Sequence, residues 1–250
     1  MRGNYYEGMT PQNLTGKVAL VTGGSRGIGM AIAESMVAEG MMVAITGREE
    51  AHLLAAKHRI KDAGPGRLET IVADVRQHDD VERATDTVVL AYGGLDVLVN
   101  NAGVGIFTQV ADMRPDQWSA ILDTNLTGVY NCCHLAIPQL RKRGGGYIIN
   151  ISSLAGKNAF IGAAAYCASK AGLNAFSEAL MLEVRQENIR VTYVMPGSVA
   201  TGFSGGDELK GAEWKIGASD IAQLVLDLLH MNPRTLPSRI EVRPSRPPVK

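Results

Sequence analysis

Four side chains in this 250-residue chain have the types and spacing of a proton-transfer apparatus. Tyr166 and Lys170 stand four residues apart, so on a helix both point to one face. Ser153 precedes Tyr166 by thirteen residues, and Asn125 lies inside Asp123-Thr124-Asn125-Leu126-Thr127-Gly128. A free tyrosine has a pKa of about 10. A neighbouring ammonium favours its phenolate and brings it toward working pH. Ser153 could hydrogen-bond a substrate oxygen, and Asn125 could hold a water leading to Lys170. The chemistry these types can do is acid/base work at a carbonyl or alcohol oxygen.

A second cluster has the character of an anion site. The stretch Thr22-Gly23-Gly24-Ser25-Arg26-Gly27-Ile28-Gly29 follows an apolar run and opens a helical pattern. Glycines there let the backbone turn tightly and approach a pyrophosphate at a helix N-terminus, where free N–H groups favour anions. The spacing is GxxxGxG rather than GxGxxG. The next apolar run ends Ile45-Thr46-Gly47-Arg48-Glu49, with no acid at its tip to accept from ribose hydroxyls. Arg48, with Arg26 in the glycine turn, suits a 2′-phosphate through charge-assisted bonds. NADP(H) is therefore expected in preference to NAD(H).

The elements that must position these residues alternate. Strands are expected at 17–22, 41–46, 68–73, 95–100, 147–152, 189–195 and 238–242, and helices at 27–39, 49–62, 78–92, 115–142, 162–187 and 218–231. Runs such as VALVT and LDVLVN are apolar at successive positions, which demands burial on both faces. The pattern predicts a single α/β domain over 14–250, a doubly wound, Rossmann-type parallel sheet of seven strands with helices on both faces. Residues 1–13 read as a flexible arm, and the charges from Arg239 to Lys250 as a solvated terminus. In such sheets ligands bind beyond the carboxyl ends of the strands. That is where Asp74, the Asn100-Asn101-Ala102-Gly103 stretch and the Ser152-Ser153 pair fall.

Bulk composition narrows the class. Lys+Arg and Asp+Glu are both 25, so the net charge is zero, which argues against nucleic-acid binding. The three cysteines and five histidines show no metal-ligand spacing, and reduced thiols in a cytoplasmic setting are expected. No apolar run is long enough to cross a bilayer, and the start lacks a signal-peptide core.

Each motif taken alone has an ordinary explanation: a tight turn, a helix cap, a chance YxxxK. All of them after successive strands, in order, do not. The chain resembles the short-chain dehydrogenase/reductase family through TGGSRGIG at 22–29, Asp74, NNAG at 100–103, Asn125, Ser153, YCASK at 166–170 and PGSVAT at 196–201, a set covering residues 15–201. The resemblance implies an NAD(P)-dependent oxidoreductase acting on a carbonyl or secondary alcohol. It makes Tyr166 the general acid/base, Lys170 the residue that tunes it and holds the nicotinamide ribose, Ser153 the residue that orients the carbonyl, and Asn125 a support of the proton relay. It places Gly23, Ser25, Arg26, Gly27, Ile28 and Gly29 at the pyrophosphate, and Asp74 and Val75 at the adenine. Asn100, Ala102 and Gly103 would lie along the adenosine side, with Pro196, Gly197, Val199 and Thr201 near the carboxamide.

Within the family the chain is most similar to 3-oxoacyl-carrier-protein reductases and related carbonyl reductases. A small carbonyl compound or acyl thioester is thus the expected substrate; a small alcohol, sugar or steroid is the alternative. The segment Gly202–Gly217 should select it, with Phe203 and Trp214 as apolar contacts. A non-catalytic NADP(H) sensor would be expected to lose Tyr166 or Lys170, and both remain. A nucleotide-sugar epimerase or dehydratase needs a larger segment after Thr201 than is present. The 162–187 pattern is apolar on more than one side, implying a second buried face and a homo-oligomer, dimer or tetramer.

Overall fold

The computed structural model describes residues 12–203 and 212–248. Seven strands form one parallel sheet: β1 (Val18–Val21), β2 (Met42–Gly47), β3 (Arg67–Val72), β4 (Val97–Asn100), β5 (Gly146–Ile151), β6 (Ile189–Pro196) and β7 (Arg239–Val242), in the order β3-β2-β1-β4-β5-β6-β7. The order reverses between β1 and β4, which opens a crevice above their carboxyl ends. Helices α1 (Gly27–Ala38), α2 (Glu50–Ile60), α3 (His78–Tyr92), α4 (Pro115–Leu122), α5 (Gly128–Lys142), α6 (Ala164–Val184) and α7 (Ala218–His230) complete the doubly wound domain.

The period of two along each strand divides the core into two layers. In β1, Ala19 and Val21 join the cluster beneath α1, α2 and α7, while Val18 and Leu20 join that beneath α3, α5 and α6. All four residues of β1 are buried, so a polar side chain at any of them would lack a partner on either face. Burying a side chain such as Leu20 or Leu98 is worth about 1.5–3 kcal/mol, and the two layers repeat this across the sheet.

Two predicted elements differ in detail. The 115–142 helix is interrupted by a π-helical segment at Asp123–Thr127, which separates α4 from α5. Such bulges insert a residue and re-aim side chains, often at functional sites; here Asn125 is carried inward and fully buried. The described charges of the C-terminal tail are exposed, as expected, and both termini also make defined contacts. At one end, Gln12 donates its N–H to the His230 carbonyl and its own carbonyl meets His230 Nδ1 at 2.9 Å. At the other, Arg243, Pro244, Pro247 and Pro248 line the cleft above the sheet. The rest of the predicted arm, residues 1–11, lies outside the described residues.

Candidate active site

The glycine turn is fastened to its neighbour before any ligand is considered. Thr22 Oγ1 accepts from the N–H groups of Asn101 (3.0 Å) and Ala102 (3.1 Å), and Asn101 Nδ2 donates to the carbonyls of Thr22 and Gly23, both at 3.0 Å. Gly23 has φ +63°, and a Cβ there would stand 2.8 Å from Ala102 Cα. A Cβ on Gly29 would meet Asn101 Nδ2 at 2.4 Å, so glycine is required for α1 to lie this close to the β4 exit. Arg26, the residue before α1, makes no side-chain cap, and the first turn carries no acid. The helix thus opens on the cleft with unmasked N–H groups and its positive dipole end.

The cleft has a volume of about 1010 Å³. Gly23, Ser25, Arg26, Gly27 and Ile28 line it at the β1 end, Arg48, Asp74 and Val75 beyond β2 and β3, and Ala102 and Gly103 beyond β4. Ser153, Tyr166, Lys170, Pro196, Gly197, Val199 and Thr201 line the remainder. Three of the sequence-predicted residues are not on that surface. Asn100 is turned into the sheet, donating Nδ2 to Asn150 Oδ1 (2.8 Å) and toward Cys133 Sγ, and its successor Asn101 faces the cleft instead. Gly29 serves the close helix approach just described. Asn125 accepts from the Val104 N–H (2.8 Å) and donates to the Val104 carbonyl (2.9 Å) and Ser169 Oγ (3.0 Å). With its amide so engaged, its side chain supports the loop after β4.

Tyr166, Ser153 and Lys170 meet at the centre. Burial raises the Tyr166 phenol above its usual range, and a hydrogen bond with Ser153 pulls it partly back. Among the groups present burial dominates, and it favours the protonated phenol. Lys170 Nζ lies 6.0 Å from the Tyr166 ring centroid and donates to the Ile151 carbonyl at 2.9 Å. Burial brings the Lys170 ammonium down to about 8. Phe107 packs edge-on to Tyr166 at 5.5 Å between centroids, Phe203 lies at 5.9 Å, and Phe160 follows Phe107 at 5.9 Å. Phe203 and Trp214 both line the cleft, as expected; residues 204–211 between them lie outside the described residues.

Sequence reasoning missed a buried polar chain under the site. Asn150 on β5 donates to Ser177 Oγ on α6 (2.8 Å), and Ser152 donates to Asn174 Oδ1 (2.5 Å). These bonds join the strand that leads to Ser153 to the helix that carries Tyr166 and Lys170. The available signal was Asn150 and Asn100, polar residues ending otherwise apolar strands.

Comparison with known proteins agrees with this geometry. The short chain dehydrogenase family profile matches residues 17–209. An uncharacterized oxidoreductase of Staphylococcus saprophyticus is 33% identical over 231 residues, 92% of this chain and 98% of its own length. The 3-oxoacyl-[acyl-carrier-protein] reductase of Chlamydia muridarum is 38% identical over 203 residues, 80% of this chain and 82% of its own. Among solved structures, a metagenomic short-chain oxidoreductase in complex with NADP superimposes with a TM-score of 0.83 at 38% identity, covering 94% of this chain and all of that one. The chain belongs to the short-chain dehydrogenase/reductase family, and it is an oxidoreductase of that family.

Proposed function

We propose that the protein is an NADP(H)-dependent reductase of carbonyl compounds, with Tyr166 as the acid, Ser153 as the group that orients the carbonyl oxygen, and Lys170 as the cation beside them. The observation that carries this reading is the presence of Tyr166, Ser153 and buried Lys170 together on the lining of the cleft onto which α1 opens uncapped. The residues present fit a dinucleotide: the unmasked α1 N-terminus for the pyrophosphate, and Arg26 and Arg48 for a 2′-phosphate. When bound, the reduced nicotinamide supplies a hydride to the carbonyl carbon. Ser153 and Tyr166 share the substrate oxygen, and Tyr166 transfers its proton there as negative charge develops. The Lys170 ammonium stabilises the phenolate left behind, and Phe107, Phe160 and Phe203 offer apolar surface to the body of the substrate.

A tyrosine held protonated by burial is ready for reduction, whereas alcohol oxidation needs its phenolate. Oxidation is therefore expected to accelerate as pH rises above neutrality while reduction does not. Parallel pH profiles in the two directions check this; a reduction rate that climbs with pH would contradict it. Acyl thioesters, small ketones, sugars and steroid ketones all remain within the proposed substrate range. A panel of them with NADPH is the deciding assay, and failure to oxidise NADPH with every member would overturn the reading.

Cofactor choice rests on the β2 tip. A Cβ on Gly47 would stand 3.4 Å from Ser25 Oγ and 3.3 Å from Leu53, so an acid fits only with small shifts. Glu49 also lines this end, paired with His52 at 3.3 Å. Each charge-assisted contact to the 2′-phosphate should add about 1.5–3 kcal/mol, at least about tenfold in affinity. The expected result is higher kcat/KM with NADPH, moved toward NADH by Gly47→Asp with Arg48→Leu, mainly through KM. Equal efficiency with both cofactors in the wild type would show that Glu49, not Arg48, governs this end.

A homo-oligomer in a cytoplasmic setting completes the proposal. Ala164, Ala168, Ala171, Ala175, Ala179 and Leu182 form an exposed apolar stripe along α6, left uncovered by the described residues. Sedimentation or light scattering of the wild type checks the assembly.

A further inference from the structure

The basic tail does not leave the molecule after β7. Val242 accepts from the Gly197 N–H at 2.8 Å, and Pro244 Cδ stands 3.0 Å from where a Gly197 side chain would begin, beside Leu154. Pro244, Pro247 and Pro248 then line the cleft as a strap, with the chain bending at Ser245 and Arg246 between them. Arg243 lines the cleft at the start of this strap, on the side where Leu154 and Ala155 follow Ser153.

The charges around it do not cancel. Glu241 accepts from Lys157 Nζ at 2.5 Å through one oxygen and from Arg243 Nη2 at 2.9 Å through the other. Two cations on one carboxylate leave a net +1. The carboxylate also orients the guanidinium while using one of its five N–H donors. Among the described residues, the acids that line the cleft are Glu49 and Asp74, and they follow β2 and β3 near the opposite edge of the sheet. Lys215, beside Trp214, adds another cation to the lining.

Distance separates Arg243 from the phosphates of a dinucleotide. With strands about 4.8 Å apart, β7 lies roughly 19 Å from β1 and its glycine turn, and roughly 24 Å from β2 and Arg48. An arginine side chain cannot bridge either gap. The guanidinium is thus available to the substrate, in the same cleft that Phe107, Phe160 and Phe203 line.

We infer that the substrate end of the cleft contains an oxyanion subsite at Arg243, and that the preferred carbonyl substrates carry a carboxylate or phosphate beyond an apolar body. This rests on the reductase reading. The aromatic wall holds the body with the carbonyl at Tyr166, and the free fork of Arg243 takes two oxygens of the anion.

The experiment compares 4-acetylbenzoate, 4-acetylphenyl phosphate and neutral 4-acetylbenzamide as substrates with NADPH. The wild type is expected to favour at least one anion over the amide by about tenfold in kcat/KM, and the preferred one identifies carboxylate or phosphate. Arg243→Met should bring that ratio close to one, Arg243→Lys should retain part of it, and Arg246→Met, outside the cleft lining, should keep it. A wild type without anion preference overturns the subsite and leaves the reductase reading standing. So does an Arg243→Met ratio equal to wild type, or a loss of NADPH affinity in that variant, which would assign the guanidinium to the cofactor. An enzyme inert toward these and every neutral ketone overturns both.

Discussion

Tyr166→Phe is expected to lower kcat for carbonyl reduction by about 10² to 10⁴, the usual contribution of a positioned acid, with NADPH affinity within a few-fold of wild type. The substitution removes the hydroxyl and keeps the ring. The edge-on contact with Phe107 and the packing against Phe203 both survive, so the aromatic wall and the cleft should keep their shape. Steady-state rates, with a fluorescence titration of NADPH, separate the two effects. A variant retaining a tenth of wild-type turnover would mean that another group or water supplies the proton. Equal losses in turnover and cofactor affinity would mean that the phenol mainly holds the ligand.

Lys170→Met should behave differently, because one ammonium serves both the phenolate and the ligand. A loss of about 10² or more in kcat/KM is expected, accompanied by about tenfold weaker NADPH binding. Burial has already weakened this cation, lowering its pKa to about 8. NADPH affinity of the wild type should therefore decline as pH rises through that value, and the variant should lack that decline. The stability effect has the opposite sign. The folded state binds the Lys170 proton less tightly than the unfolded chain, so the charge costs stability below pH 8, and the cost is relieved as pH rises toward the unfolded value. Its size is about 3 kcal/mol at neutral pH, offset in part by the bond to the Ile151 carbonyl. The variant should accordingly melt no lower than wild type at pH 7 despite its lost activity. A variant that loses rate but keeps wild-type cofactor affinity would remove the ligand-holding role.

Much of this arrangement is written in local pattern. The apolar runs of β1 and β4 require two-sided burial, and each parallel strand requires a crossover helix, so the seven strands and the helices between them follow from composition over short windows. The same holds for Tyr166 and Lys170, since a spacing of four residues fixes their common face on any helix. The glycine turn is legible because a backbone with φ +63° at Gly23 and a close helix approach at Gly29 exclude side chains at those positions.

Other features depend on which way a side chain faces and how deeply it lies, and these are properties of packing between distant segments. Asn100 and Asn101 are indistinguishable by type, yet strand alternation and pairing with β5 turn the first into the sheet and the second onto the glycine turn. Asn125 is aimed at Val104 by one π-helical turn that nothing in its neighbours specifies. The upward shift of the Tyr166 phenol follows from burial by chain segments far apart in sequence, which outweighs the opposing effect of Ser153. Arg243 reads as an ordinary charge in a basic terminus until β7 pairs with β6 and carries the proline strap along the cleft. The sequence by itself determined the fold, the proposed acid/base candidates and the glycine turn, because these depend on residue type and short spacing. Only the tertiary structure decided which polar groups face the cleft and where the tail lies, because burial and register sum contributions from the whole chain.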